Sequence, residues 1–242
     1  MNQAALAALI EKVKNDGSDT LDLSREELET LPPEIGDLVN LIELDLTGNM
    51  LTELPPEIGK LTALTRLSVR NNQLTNLPPE LGNLVNLKGL FLQENQLTEL
   101  PAQIGLLTGL GRLNASNNQL TNLPPEIGNL TNMTWLYLAD NAIADLPPEI
   151  GGLSSLTDCY LQGNKLKSLP AEIGNLASLT ELQLDRNELA ELTPGIGGLV
   201  NLNVIYLRQN NLSTLPSEIA ELTSLTWLYL GGNRFSELPA EI

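Results

Sequence analysis

Residues 41–61 read LIELDLTGNMLTELPPEIGKL, and the interpretation of this one segment settles the architecture. Its asparagine, Asn49, recurs as Asn72, Asn95, Asn118, Asn141, Asn164, Asn187, Asn210 and Asn233, each 23 residues from the last without a slip. A fixed period of this length identifies a solenoid, in which each unit buries its apolar face against its neighbours. Leu41, Leu44, Leu46, Leu51, Leu54, Ile58 and Leu61 are the apolar positions of the unit. The Leu54 column is leucine throughout: Leu31, Leu77, Leu100, Leu123, Leu146, Leu169, Leu192, Leu215 and Leu238. Each such side chain gains roughly 1.5–3 kcal/mol on burial, a gain that no repeat collects until another stacks on it.

Around Leu44 and Leu46 apolar and polar residues alternate with period two, which predicts a short strand. The two leucines point inward; Glu43, Asp45 and Thr47 point outward. Stacked strands form one parallel sheet at a spacing of about 4.8 Å. The asparagine follows where the chain leaves the sheet. Its amide offers two donors and an acceptor for backbone groups that the bend leaves unpaired, so the asparagine ladder is assigned a structural role. All fifteen prolines lie in the return limb, LPxEIGxL, where they exclude a central strand and favour a turn. Gly36, Gly59, Gly82, Gly105, Gly128, Gly151, Gly174 and Gly197 share one column, broken by Ala220; glycine there permits positive φ or close backbone packing. Short 3₁₀ or turn-like limbs on the convex side make the array curve, with the sheet lining the concave side.

The pattern resembles the leucine-rich repeat family in its 23-residue intracellular class, from about Leu21 to Ile242. The texture is similar to the LPPEIGxLxxL repeats of Ras-scaffold and Ras-suppressor proteins and to the repeat domains of bacterial Roco-type GTPases. The resemblance implies an α/β solenoid and a cytoplasmic protein-interaction module without catalytic residues of its own. Extracellular members usually end in cysteine-rich caps, which this sequence lacks.

One domain, 1–242, is expected, in three parts. In residues 1–17, Leu6, Leu9, Ile10 and Val13 recur at helical spacing and Asn15-Asp16-Gly17 is a stop signal, so a capping helix closes the first repeat. Residues 18–40 form a degenerate first repeat, with Glu26 at the asparagine position. Residues 41–242 hold nine asparagine-bearing repeats, the last cut short without a cap. Self-association through that end, as a homodimer, is one expectation; a fragment of a larger signalling protein is another. Within the core columns Cys159, Met133 and Ala115 replace leucine. Cys159 is the sole cysteine and reads as a small buried hydrophobe.

The net charge is −17 and aromatic residues are 3% of the chain. Such acidity argues against nucleic acid and anionic membranes as partners, and no apolar run approaches the ~18 residues of a spanning helix. The convex glutamates Glu34, Glu57, Glu80, Glu126, Glu149, Glu172, Glu218 and Glu241 read as a solvated face. There is no histidine, which excludes Ser/His and Cys/His nucleophiles and histidine metal sites. No phosphate-binding loop or dinucleotide fingerprint occurs. No catalytic residue, metal or cofactor is expected.

Function is expected on the outward columns of the sheet. One runs Asp22, Asp45, Ser68, Phe91, Asn114, Tyr137, Tyr160, Gln183, Tyr206, Tyr229; the next runs Thr20, Glu43, Arg66, Gly89, Arg112, Trp135, Asp158, Glu181, Val204, Trp227. Seven of the eight aromatics fall in these two columns, and Phe235 alone is assigned to the core. Exposed aromatics and arginines mark interaction surfaces. Phe91, Trp135, Tyr137, Tyr160, Tyr206, Trp227, Tyr229, Arg66, Arg70, Arg112 and Arg208 are therefore the candidate face for a protein or peptide partner. Two aromatic clusters are expected, Trp135–Tyr137–Tyr160 and Tyr206–Trp227–Tyr229. The competing expectation for the arginines is salt pairing with Glu43, Asp45 and Glu94.

Overall fold

A computed structural model of the chain describes residues 1–237. Leu238, Pro239 and Glu241, and with them the expected uncapped end and its self-association, lie outside the described residues. An α-helix, α1 (Gln3–Asp16), opens the chain. Its N-cap is Asn2, whose side chain accepts from the Ala5 N–H at 2.9 Å, and Gly17 ends it in the left-handed region at φ 66°. Leu6, Ile10 and Val13 are buried, and Leu9 is partly buried against the same core. The helix thus closes the first repeat as its spacing predicts.

Among the described residues there follow ten three-residue strands: β1 (Thr20–Asp22), β2 (Glu43–Asp45), β3 (Arg66–Ser68), β4 (Gly89–Phe91), β5 (Arg112–Asn114), β6 (Trp135–Tyr137), β7 (Asp158–Tyr160), β8 (Glu181–Gln183), β9 (Val204–Tyr206) and β10 (Trp227–Tyr229). They form one parallel sheet in sequence order. Each residue pairs with the one 23 positions on, as in Leu44 with Leu67 and Tyr137 with Tyr160. Period and register are therefore one number. Consecutive strands are joined through five-residue 3₁₀ turns, such as Pro56–Lys60 and Pro125–Asn129, which form the opposite side of the solenoid. Most of these turns begin after an extended proline, for example Pro55 at φ −65° and ψ 145°.

The core is one continuous apolar cluster running from Leu6 to Leu222. Met133, Ala115 and Cys159 are fully buried in the leucine columns they interrupt. Burial pushes the Cys159 thiol up to about 12, so it is an inert core group. In the last described repeat Leu225, Leu228, Leu230 and Phe235 are only partly buried. Phe235 therefore packs against the core rather than within it.

The asparagine ladder stitches repeat to repeat. The Asn95 side-chain oxygen accepts from the Leu74 N–H at 3.0 Å, and its amide donates to the carbonyls of Val69 and Leu92 at 3.0 and 2.9 Å. The same triad recurs at Asn72, Asn164, Asn187 and Asn210. At the degenerate first repeat Asn49 accepts from the Glu26 and Leu28 N–H groups, so Glu26 is served through its backbone. The residue before each asparagine is left-handed, as Gly48 (φ 74°), Glu94 (φ 60°), Asp140 (φ 53°) and Arg186 (φ 56°) illustrate.

The return-limb glycines are explained by close approach alone. A Cβ on Gly82 would sit 2.7 Å from the Gln103 carbonyl oxygen and 2.8 Å from the Gln103 Cβ. Residue 103 belongs to the glutamate column, so this glycine column is where the 3₁₀ limb of one repeat rests on the next.

Candidate functional site

Strand alternation puts the middle residue of each strand in the core and the flanking two on the outer face of the sheet. The 23-residue register then lines up outward residues from successive repeats. Two aromatic groups result. In the first, the rings of Trp135 and Tyr137 lie 6.1 Å apart and 5° from parallel, and those of Tyr137 and Tyr160 are 4.4 Å apart at 9°. Arg112 lays its guanidinium over Trp135, 4.2 Å from the ring centre. Arg112, Trp135, Tyr137 and Tyr160 thus make one stacked slab across β5, β6 and β7. Trp135 is 37% exposed, and both tyrosines are half-buried by their neighbours.

In the second group, Tyr206 and Tyr229 stack at 4.8 Å and 12°, Trp227 and Tyr229 at 6.2 Å and 6°, and Arg208 covers Tyr229 at 4.2 Å. Trp227 is 57% exposed. Between the groups lies polar β8, where the Gln183 amide donates to the Glu181 carboxylate at 3.0 Å. Both expected aromatic clusters are therefore brought together, and Phe91 stands apart beneath Arg66, 4.3 Å from its ring centre.

The arginines divide. Arg70 pairs with Glu94 at 2.8 Å, as the electrostatic expectation for that residue has it. Arg66, Arg112 and Arg208 instead stack on rings, and Arg66 makes no ion pair with Glu43 or Asp45. Arg186 reaches back two repeats to Asp140 at 3.1 Å. Asp158 and Glu181, both polar neighbours in the outward columns, act on the tyrosines. Burial first, and then Asp158, raises the Tyr137 phenol; burial and then Glu181 raise that of Tyr160 further. Among the described residues no group of three or more carboxylates or thiols could hold a metal ion. Among them, too, no helix is long and apolar enough to cross a membrane.

Three family profiles match this chain: Leucine rich repeat at residues 62–120 and 177–235, Leucine-rich repeat region at 112–188, and Leucine Rich repeats (2 copies) at 39–83. The chain is a leucine-rich repeat protein. Its fold is similar to a leucine-rich repeat protein of Leptospira interrogans, 43% identical, with a TM-score of 0.88 over 96% of this chain and 59% of that one. The repeat protein thus spans less than two thirds of that relative's length. It is also similar to the leucine-rich repeat domain of the type III effector XopL, 29% identical over 94% of this chain and 81% of that domain, TM-score 0.79. A third similar structure is a plant peptide hormone receptor, RGFR1, in complex with RGF2 (30% identity, TM-score 0.64, 91% of this chain and 45% of the receptor). Comparison with curated protein sequences finds no match.

Proposed function

We propose that this leucine-rich repeat protein is a non-catalytic binding module, and that the outer face of its sheet takes a protein or peptide ligand. The observation that carries the reading is the stacked slab of Arg112, Trp135, Tyr137 and Tyr160. A leucine core has no need of these rings, and pre-stacked aromatics present wide apolar faces with few rotors left to freeze. The hormone receptor bound to RGF2 is a precedent within the fold for a peptide ligand. The lone buried thiol accords with a cytoplasmic setting.

Selection of a displayed random-peptide library against the protein tests the reading. Peptides enriched on the wild type are expected to lose at least tenfold in affinity for the Trp135→Ala/Tyr137→Ala/Tyr160→Ala variant. Its far-ultraviolet circular dichroism should stay unchanged, because these side chains lie outside the leucine columns. Enriched peptides that bind wild type and variant alike would overturn the assignment.

A further inference from the structure

N-terminal to the aromatic slab, the same face holds a cleft of about 340 Å³ between Arg66 on β3 and Arg112 on β5. Missing side chains open it. Gly89 is the one glycine in an outward column otherwise filled by larger residues, and the Phe91 ring lies down over it, 3.0 Å from where a Cβ would be. Gly109 and Gly111 clear the rim in the next repeat. Into the space over Gly109 the Lys88 ammonium extends, 2.7 Å from where that residue's Cβ would stand.

Three exposed cations therefore surround an aromatic floor, and none has an ion-pair partner among the described residues. Most of the chain's 13 basic side chains share that state, Lys14, Arg70 and Arg186 being the ones that find carboxylates; what sets this place apart is that three such cations line one cleft. The nearest acids in the ladder are Glu43 and Asp45, one strand before Arg66, and Asp158, two strands after Arg112; none pairs with them. A guanidinium stacked on a ring keeps its N–H edge free to fork onto an oxyanion. Asp22, Glu43 and Asp45 line a second pocket with Arg66 and offset part of its charge, whereas neither strand beside Arg112 carries an acid in its outward columns.

We propose that this cleft anchors the oxyanion groups of an extended acidic segment of the partner, either carboxylate or phosphorylated side chains. The inference rests on the binding reading above. Arg66 and Arg112 stand two strands apart, ~9.6 Å, close to the ~9.3 Å of one three-residue turn of polyproline II chain, in which residues i and i+3 lie on the same side. The segment crosses the strands with acidic groups at positions i and i+3, and then runs on to Trp135.

The test is titration of protein carrying ¹⁵N-labelled arginines with three blocked tetrapeptides: Glu-Ala-Ala-Glu, its bis-phosphoserine counterpart, and Gln-Ala-Ala-Gln. The Nε–Hε resonances of Arg66 and Arg112 are expected to shift saturably with an anionic peptide and not with the neutral one. Arg25, Arg70 and Arg186 should stay in place. Whichever anionic peptide binds more tightly identifies the oxyanion. Arg66→Gln/Arg112→Gln should weaken that binding at least tenfold, whereas Arg70→Gln leaves it unchanged. Equal shifts at every arginine, or none at Arg66 and Arg112, would overturn the proposal. The tetrapeptides carry nothing for the aromatic slab to hold, so failure here leaves the slab's role standing, and failure of the library selection is read separately.

Discussion

Asn95 shows how much one amide holds. Its removal leaves the Leu74 N–H and the Val69 and Leu92 carbonyls without their partner in a dry interior. A buried group stripped of its hydrogen bond costs about 1–3 kcal/mol, so Asn95→Ala is expected to lower stability by about 2–4 kcal/mol in urea denaturation. Asn233 makes the same three kinds of bond but is half-exposed, so water can replace the amide and Asn233→Ala should cost less. The asparagine is legible in the sequence because it is strictly repeated. The left-handed residue before it is legible only in part. Only Gly48, Gly163 and Gly232 are glycines there; Asn71, Glu94, Asn117, Asp140, Arg186 and Gln209 adopt the same backbone, as does Arg25 before Glu26 in the degenerate first repeat. Gly, Asn and Asp, which tolerate that backbone, fill six of the nine places, while the ladder bonds on either side hold Glu94, Arg186 and Gln209 there against their own preference.

At the scale of elements, strand, limb and cap were all readable from period and punctuation. Alternation places the strands, prolines the turns, and the spacing of Leu6, Ile10 and Val13 the cap. Sequence alone does not choose between positive φ and close approach for the return-limb glycines, since both ask for the same residue. Contact between limbs decides it, so Gly82→Ala must shift the backbone at Gln103. A loss of about 1–3 kcal/mol, as for other overpacked sites, is expected in thermal unfolding. The two aromatic clusters were visible as columns, but the stacking of arginines on them was not. Pairing with acids and stacking on rings are both open to such a side chain, and rotamers choose between them. The β6–β7 slab also carries a pH signature. Its tyrosines are harder to ionise folded than unfolded, where they titrate near ~10. The native state thus keeps protons that the unfolded chain gives up. Their contribution is complete below the unfolded value and drains away as pH climbs towards the folded one. The urea midpoint should fall as pH rises above about 10, and more gently in Tyr137→Phe/Tyr160→Phe.

Across the whole molecule, 30 acidic residues face 13 basic ones. Four ion pairs among the described residues absorb few of them, and all but the N-terminal one join well-exposed side chains. The excess negative charge repels itself, and salt should relieve it. Raising sodium chloride from 0.01 to 0.3 M shortens the screening length from about 30 Å to under 8 Å. The melting temperature is expected to rise by about 3–6 °C, a shift that for this size corresponds to about 1–2 kcal/mol; no change on calorimetry would mean that the glutamate column is already relaxed. The in-phase pairing of every strand with the next has a last consequence, for the chain's length. An inserted or deleted residue inside a repeat throws leucines outward and breaks the amide stitches beyond it, whereas a whole block of 23 leaves each neighbour facing what it faced before. Such a molecule can be extended or shortened only in whole steps, like a screw thread, and every added step widens the surface available to a partner without redesign of the rest.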